Sequence, residues 1–369
     1  MKRVLLIGDS YIDYAPYIKN YTELLEQNNI PFHLLFWNRY SDYVDLPDNC
    51  ISYNQFTEDR YPLWKKGVKV LGFARFVKKH LKRNDYAYVV VFTIVHALFL
   101  YPYLNRHYSG RFIYDIRDYS PICRIGFLKI IMGRLITHSA FTVTSSAGFL
   151  KWLPSNKECR YIVSHNINYA LLGKYIDAHS AISFNNTKET MKVLTIGKIA
   201  YYGSQVTFLN KMGNRDGVEL HFAGEGPAAE PLKQYVVDNA IKNVGFSGRY
   251  AKCDELSIVE PYHMLNIWLD HSINADTCVA NRFYLSAILR KPMIVHRNTY
   301  QGYLCSLYGL GVVLDENDDF YNIIIQWWNE FDYQRYDSGC KRFLSDVQTE
   351  MKLFNTEVTR LYYQIEQKC

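Results

Sequence analysis

Two glycine-containing loops in the second half of this 369-residue chain carry residue types suited to holding a diphosphate. In Gly197-Lys198-Ile199-Ala200-Tyr201-Tyr202-Gly203-Ser204, two glycines flank a lysine between an apolar strand-like run and a helical pattern. Unpaired amides at a helix start, with a cation beside them, attract a doubly charged phosphate. The order G-x-x-x-x-G-K-[ST] is absent, so this is not a Walker A loop. Gly224-Glu225-Gly226-Pro227-Ala228-Ala229 follows the next strand-like run and satisfies the degenerate G-x-G-x-x-[GA] pattern of dinucleotide enzymes. Pro227 removes an amide that a pyrophosphate would use, and Val244-Gly245-Phe246 runs into Ser247-Gly248-Arg249 with no acidic residue at the strand end. Both features disfavour a nicotinamide or flavin site.

The first half offers two loops of its own. Gly8-Asp9-Ser10 ends the first strand-like run, where glycine permits a close backbone approach; a plain tight turn is the alternative. Tyr114-Asp115-Ile116-Arg117-Asp118-Tyr119 places two carboxylates and a guanidinium at another strand end. Such groups are costly to desolvate unless paired or used, so the segment is either a site or a structural Arg–Asp pair.

Leu63 to Arg83 holds Lys65, Lys66, Lys69, Arg75, Lys78, Lys79, Lys82 and Arg83 with no acidic residue, interleaved with Trp64, Phe73 and Phe76. As a helix it has the make-up of a peripheral contact with anionic lipid, through Trp64, Lys65, Lys66, Arg75, Lys78 and Lys79. The alternative is a core-packed helix with a solvated basic face. Arg124 to Arg134 repeats the theme. A net charge of +6 and the lack of an RNP1-type run argue against nucleic acid as a partner.

The elements that must position these loops alternate strand and helix, which points to α/β layers with parallel sheets. Strands are expected at Val4–Ile7, Phe32–Phe36, Tyr88–Phe92, Arg111–Tyr114, Phe141–Thr144 and Tyr161–Val163. A second series is expected at Lys192–Ile196, Val218–Ala223, Val244–Phe246, Ile267–Asp270, Pro292–Val295 and Gly311–Leu314. Helices are expected at Tyr17–Gln27, Leu63–Lys82 and Ser345–Lys368. Residues 173–190 lose hydrophobic periodicity and read as a linker. The expected architecture is therefore two Rossmann-like doubly wound domains, 1–175 and 190–340, facing across a cleft, with 345–369 crossing back onto the first. In open parallel sheets ligands gather beyond the carboxyl ends of the strands, where all four loops fall.

Eight scattered cysteines without a C-x-x-C pair read as reduced thiols, and no zinc spacing is present, so no metal is expected. The apolar run after Lys2 and Arg3 ends at Asp9, too short for a signal peptide, and the chain is expected to stay in the cytosol. Tyr86 to Leu104 carries no formal charge and approaches the length of a membrane span. Its β-branched stretch Val89–Thr93, His96 and Pro102 favour a buried strand, a turn at His96 and a helix start instead.

In order along the chain, Gly224–Pro227, Asn243–Gly248, Ala280-Asn281-Arg282-Phe283-Tyr284, Lys291–Val295 and Gly309–Val313 form a set, with Tyr114–Asp118 upstream. This set resembles the GT-B-fold glycosyltransferases, particularly the family 4 type of bacterial polysaccharide assembly, and it covers nearly the whole chain. The resemblance implies a hexosyltransferase that moves sugar, with retention, from a nucleotide-sugar donor to a saccharide or lipid-linked acceptor, without a separate cofactor. It implies that Lys198 contacts the donor diphosphate and acts in catalysis, with Gly197 and Gly203 shaping its loop. Gly224, Glu225, Arg249, Tyr250, Asn281 and Arg282 would complete the donor site, with Tyr250 against the nucleobase. Asp118, also catalytic, would lie on the acceptor side with Gly8, Asp9, Ser10, His96 and Arg117. A cytoplasmic enzyme peripheral to the membrane, serving capsule or other surface polysaccharide, would follow.

The sequence departs from the family in three places. Thr277 and Leu285 stand where the family carries two glutamates eight residues apart, the second of which binds the nucleotide's ribose. Asp276 neighbours the first position. Arg290 replaces the usual glycine before Lys291-Pro292. A catalytically impaired partner or regulatory subunit with the same fold is therefore the competing reading.

Overall fold

The computed structural model describes residues 1–13, 15–39, 45–57, 63–155, 157–167, 172, 176 and 190–368, excepting the side chains of Leu63, Trp64 and Lys66. The expected linker, 173–190, lies almost wholly outside the described residues. The chain forms two compact units, Met1–Tyr169 with Thr349–Cys369, and Ala170–Gln348.

The first unit is built on a seven-stranded sheet of β1 (Arg3–Gly8), β2 (Phe32–Asn38), β3 (Cys50–Asn54), β4 (Tyr86–Phe92), β5 (Phe112–Ile116), β6 (Phe141–Thr144) and β7 (Tyr161–Val163). The order is β3-β2-β1-β4-β5-β6-β7, parallel throughout. Every residue of β4 is buried, as expected of a central parallel strand covered on both faces. The stretch with the length of a membrane span is thus a core strand, then Thr93, then helix α3 (Ile94–His107). No described helix is long and apolar enough to cross a membrane. The expected turn at His96 falls at Thr93 instead, whose φ of 69° turns the chain so that His96 rides in the first turn of α3.

The second unit carries β8 (Met191–Ile196), β9 (Val218–Ala223), β10 (Val244–Gly248), β11 (Met264–Asn266), β12 (Met293–His296) and β13 (Gly311–Leu314). Their order is β10-β9-β8-β11-β12-β13, again all parallel. Both sheets run outward from their first strand and then cross to its other side, so each has a switch point, β1/β4 and β8/β11. Rossmann-like sheets bind ligands at such a point. Leu220, Phe222, Leu232, Met264, Trp268 and Phe320 anchor the core of this unit.

Three expectations need correction besides the turn at His96. β3 was absent from the expected strands, because Cys50–Asn54 is a half-exposed edge strand without an apolar run. The strand expected at Ile267–Asp270 pairs as Met264–Asn266, and the apolar residues Ile267–Leu269 are buried in the loop beyond it. The terminal helix begins at Tyr333 and runs to Glu366. Tyr336, Cys340 and Phe343 are buried in the second unit, whereas Met351, Phe354 and Val358 are buried in the first, where Phe354 packs edge-on against Tyr21 at 4.9 Å. Burying each such side chain contributes roughly 1.5–3 kcal/mol.

Candidate functional site

The two glycine loops lie side by side at the carboxyl ends of β8 and β9, joined by their own backbones. Gly197 N–H donates to Ala223 O (2.9 Å), Ile199 N–H to Glu225 O (3.0 Å) and Ala228 N–H to Ile199 O (3.1 Å). This apposition requires glycine. Gly224 has φ 140° and Gly197 φ 99°, and Cβ atoms on Gly224 and Gly226 would strike the carbonyls of Gly197 and Ile199. Helix α5 (Tyr202–Met212) starts from the first loop and α6 (Ala229–Asp238) from the second, so both loops present helix N-termini, where amides lack intrahelical partners.

Cationic groups stand beside this ridge. Lys198 is exposed and makes no hydrogen bond or ion pair among the described residues. Arg282, in the first turn of α9 (Asn281–Ile288), reaches Ile196 O at 3.4 Å, immediately before Gly197. Burial pulls its guanidinium below the usual arginine value, opposed by Tyr201, Cys278 and Tyr250. None of those groups is a carboxylate, so Arg282 is a desolvated cation available to an anion. Tyr250 donates to Glu255 Oε1 (3.1 Å), and its phenol is raised by burial, then by the charge of Glu255. Its hydroxyl lies 4.0 Å from where a Cβ on Gly197 would sit. Arg249, Glu225 and Asn281 are exposed. The sequence reading missed Asp270, whose Oδ2 is 3.0 Å from a Cβ position on Gly203, placing one carboxylate at the start of α5.

Buried polar contacts fix the surrounding loops. Asn266 Nδ2 donates to Thr195 Oγ1 (2.9 Å) and Gln205 Oε1 (3.0 Å), while Gln205 Nε2 donates to Trp268 O (3.1 Å). Ala280 N–H donates to Gln301 Oε1 (3.0 Å), which ties down the turn before Asn281 and Arg282. At the positions of the family's glutamates, Thr277 donates to Ile273 O (2.5 Å) and Leu285 is buried.

In the first unit the structure brings Asp9 and His96 into one cluster at the β1/β4 switch point, with Arg39 and Thr93, which sequence reasoning missed. Arg39 Nη2 bonds Asp9 Oδ2 (3.2 Å), lies over the Trp37 ring at 4.8 Å, and leaves its buried Nε without a partner. His96 Nδ1 meets Thr93 Oγ1 at 3.1 Å and the ring packs on Phe73. Burial lowers its pKa to about 4, against the pull of Asp9, so the imidazole is neutral at pH 7. Gly8 is buried, with a Cβ position 3.0 Å from Ser10 O, and Ser10 Oγ donates to Asp9 Oδ1 at 3.5 Å.

Arg117 and Asp115 form a buried bidentate pair, Nε–Oδ1 2.5 Å and Nη2–Oδ2 2.6 Å. Arg117 also donates to Ser164 O (2.7 Å) and Asn166 Oδ1 (3.2 Å), and Tyr21 OH donates to Asp115 Oδ2 (2.7 Å). All charge in this pair is spent inside the fold, and Asp118, next along, is the exposed carboxylate of the segment. Tyr17 lies under the Arg117 guanidinium at 4.7 Å and feels the charges of both Asp9 and Asp118, which places the two loops near one another.

Helix α2 (Leu63–Arg83) buries Phe73, Val77 and Leu81, and exposes Lys65, Arg75, Lys79, Lys82 and Arg83, with Lys78 half-buried. Trp64 and Lys66 were expected on the same surface; their side chains lie outside the described residues. Ile125, Phe127 and Ile130, at the start of α4 (Gly126–His138), are also exposed.

No protein-family model and no curated protein matches the chain in sequence. Solved structures do match it in fold. Sucrose-phosphate synthase from Thermosynechococcus elongatus superposes with a TM-score of 0.71 at 10% identity, covering 100% of both chains. Anabaena HepE, solved in complex with UDP, gives 0.62 at 12% identity over 97% of this chain and 100% of its own. The lipopolysaccharide outer core galactosyltransferase WaaB gives 0.63 at 12% identity over 97% and 99%. At such identities the likeness speaks for architecture: the chain has the GT-B fold of glycosyltransferases, two Rossmann-like parallel-sheet units.

Proposed function

We propose that the chain is a glycosyltransferase that takes its sugar from a nucleotide-sugar donor held by the second unit. The observation that carries this reading is the pair of interlocked glycine loops flanked by Arg282 and Lys198. Amide-rich turns beside cations that have no carboxylate partner suit a nucleoside diphosphate. The UDP bound to the similar Anabaena protein supports the same assignment. Lys198 and Arg282 act on the departing diphosphate, where fixed positive charge is worth most as negative charge develops. Tyr250 borders the nucleobase, and Asn281 starts the helix that faces the phosphates. Gly203, Gly224, Glu225 and Arg249 shape and flank the pocket.

The acceptor belongs to the first unit, against Asp9, Ser10 and the neutral His96, with Asp118 the catalytic carboxylate. Retention, hexose transfer and a lipid-linked saccharide acceptor for surface polysaccharide are parts of the proposal that rest on the resemblance. The exposed basic face of α2 supports a peripheral position on anionic lipid at the cytoplasmic face. The direct test is calorimetry with UDP and GDP, followed by assay of nucleotide release from UDP- and GDP-sugars. Binding of neither nucleotide by the folded protein would defeat the proposal.

A second reading is favoured by Leu285, buried and apolar where the family binds ribose. It makes the chain a donor-binding partner without turnover, and nucleotide binding with no release of sugar in any assay would select it.

A further inference from the structure

We propose that the second unit carries a divalent transition-metal site of zinc type, formed by His271, His296 and Glu316 beyond the carboxyl ends of β11, β12 and β13. One ligand-capable atom from each residue lies within 4.8 Å of the others. The inference stands independently of the glycosyltransferase reading, because it rests on this cluster alone.

The second observation is an orphaned atom. His296 is only 2% exposed, yet its Nε2 has no hydrogen-bond partner. A buried polar atom without a partner is destabilising, a penalty that coordination removes. Its ring is held between Trp268 at 4.3 Å and the edge-on ring of His271 at 4.0 Å, so the two imidazoles are already juxtaposed. Nδ1 of His296 accepts only a long bond from Asn298 N–H, 3.4 Å, which is given up when the ring proton moves to Nδ1 and frees Nε2.

The second imidazole has the outer partner that metal-bound histidines usually have. His271 Nδ1 bonds Asp276 Oδ1 at 2.7 Å, which fixes the ring and leaves Nε2 for a ligand. Glu316, Asp315 and Asp276 bring negative charge close to His296. Arg297, on the same strand end, is engaged with Asp318 at 3.1 Å. Two imidazoles and one carboxylate suit Zn²⁺ and leave an open position for water or ligand. Ligands around tetrahedral zinc stand about 3.3 Å apart, so binding must draw together atoms that now lie within 4.8 Å, with the exposed Glu316 carboxylate moving onto the two imidazoles. Zinc spacings were absent from the sequence because the three ligands come from three different strand ends.

The test uses the full chain, stripped with chelator and titrated with Zn²⁺ by equilibrium dialysis, and with Co²⁺ by visible absorption. One equivalent of metal per chain is expected, with nitrogen–oxygen d–d bands and no thiolate charge-transfer band. His271→Gln and Glu316→Gln should each weaken binding at least tenfold while leaving the metal-free melting temperature unchanged, since both residues are exposed. Asp276→Asn should cost about tenfold through the ring it orients, and His107→Gln, at an exposed histidine elsewhere, should cost nothing. Absence of stoichiometric binding overturns the proposal. So does binding that survives His271→Gln and Glu316→Gln, or that disappears when the cysteines are alkylated.

Discussion

The carbonyl oxygen of Gly197 occupies the place that a Cβ on Gly224 would need. That one relationship locks the two glycine loops together and makes both glycines part of a single surface.

Gly224→Ala should therefore be among the most damaging small substitutions in the chain. It adds a clash with backbone to a φ of 140° that side chains avoid. Strain of this kind costs about 1–3 kcal/mol before the clash is counted. Gly217→Ala, at φ 70° in open space, should cost only the conformational part, about 1–2 kcal/mol. Urea unfolding of both variants measures the difference, and equal losses would show that the loops separate easily.

Lys198→Ala and Arg282→Ala should each weaken UDP or GDP binding by roughly 10- to 100-fold, the equivalent of a charge-assisted hydrogen bond. Arg75→Ala, on the basic helix of the other unit, should leave nucleotide affinity unchanged. Calorimetry on the three variants checks this, and a loss with Arg75→Ala matching that of Lys198→Ala would mean the charges had been assigned to the wrong unit.

His96 makes stability depend on pH in a known direction. Its folded pKa of about 4 lies below the ordinary histidine value of 6.5, so protonation favours unfolding. The stabilisation is complete above pH 6.5 and declines as pH falls towards 4, by roughly 1.4 kcal/mol per pH unit where only the unfolded chain is protonated. His96→Gln should flatten that slope between pH 6.5 and 4, as read from urea midpoints.

Replacing Lys78, Lys79 and Lys82 together by glutamine should reduce sedimentation with anionic liposomes while sparing nucleotide affinity. Each basic residue near an anionic surface contributes about 1 kcal/mol. Liposome binding unchanged in 0.1 M salt would remove α2 from the membrane account.

The strands were legible where apolar, β-branched runs meet a two-faced core, as in Tyr86–Phe92 and Val218–Ala223. Cys50–Asn54 escaped notice because an edge strand needs no such run. Ile267–Asp270 has the pattern of a strand because burial in a loop and burial in a strand look alike along the chain. The glycine loops were visible as motifs, whereas their interlocking was not, since it depends on two strands lying adjacent. Arg39 and Thr93 gave no local signal; Thr93 acquires its positive φ only from the strand-to-helix turn it must make. The acidic and basic residues of Tyr114–Asp118 were recognised as expensive, and the fold resolves that expense for Asp115 and Arg117 by pairing them internally.

Arg290 sits where a glycine is usual, and its φ of 55° shows why. Its wholly buried guanidinium donates to Ala287 O (2.8 Å), Ile288 O (3.2 Å), Ile176 O (3.1 Å) and Asp337 Oδ1 (2.7 Å). One planar fork thereby rivets three stretches that are remote in sequence: a helix end, the chain near residue 176 and the opening turns of the terminal helix. A lysine donates from one point and lacks the fork that reaches all four acceptors, so replacing this guanidinium loosens the three stretches together.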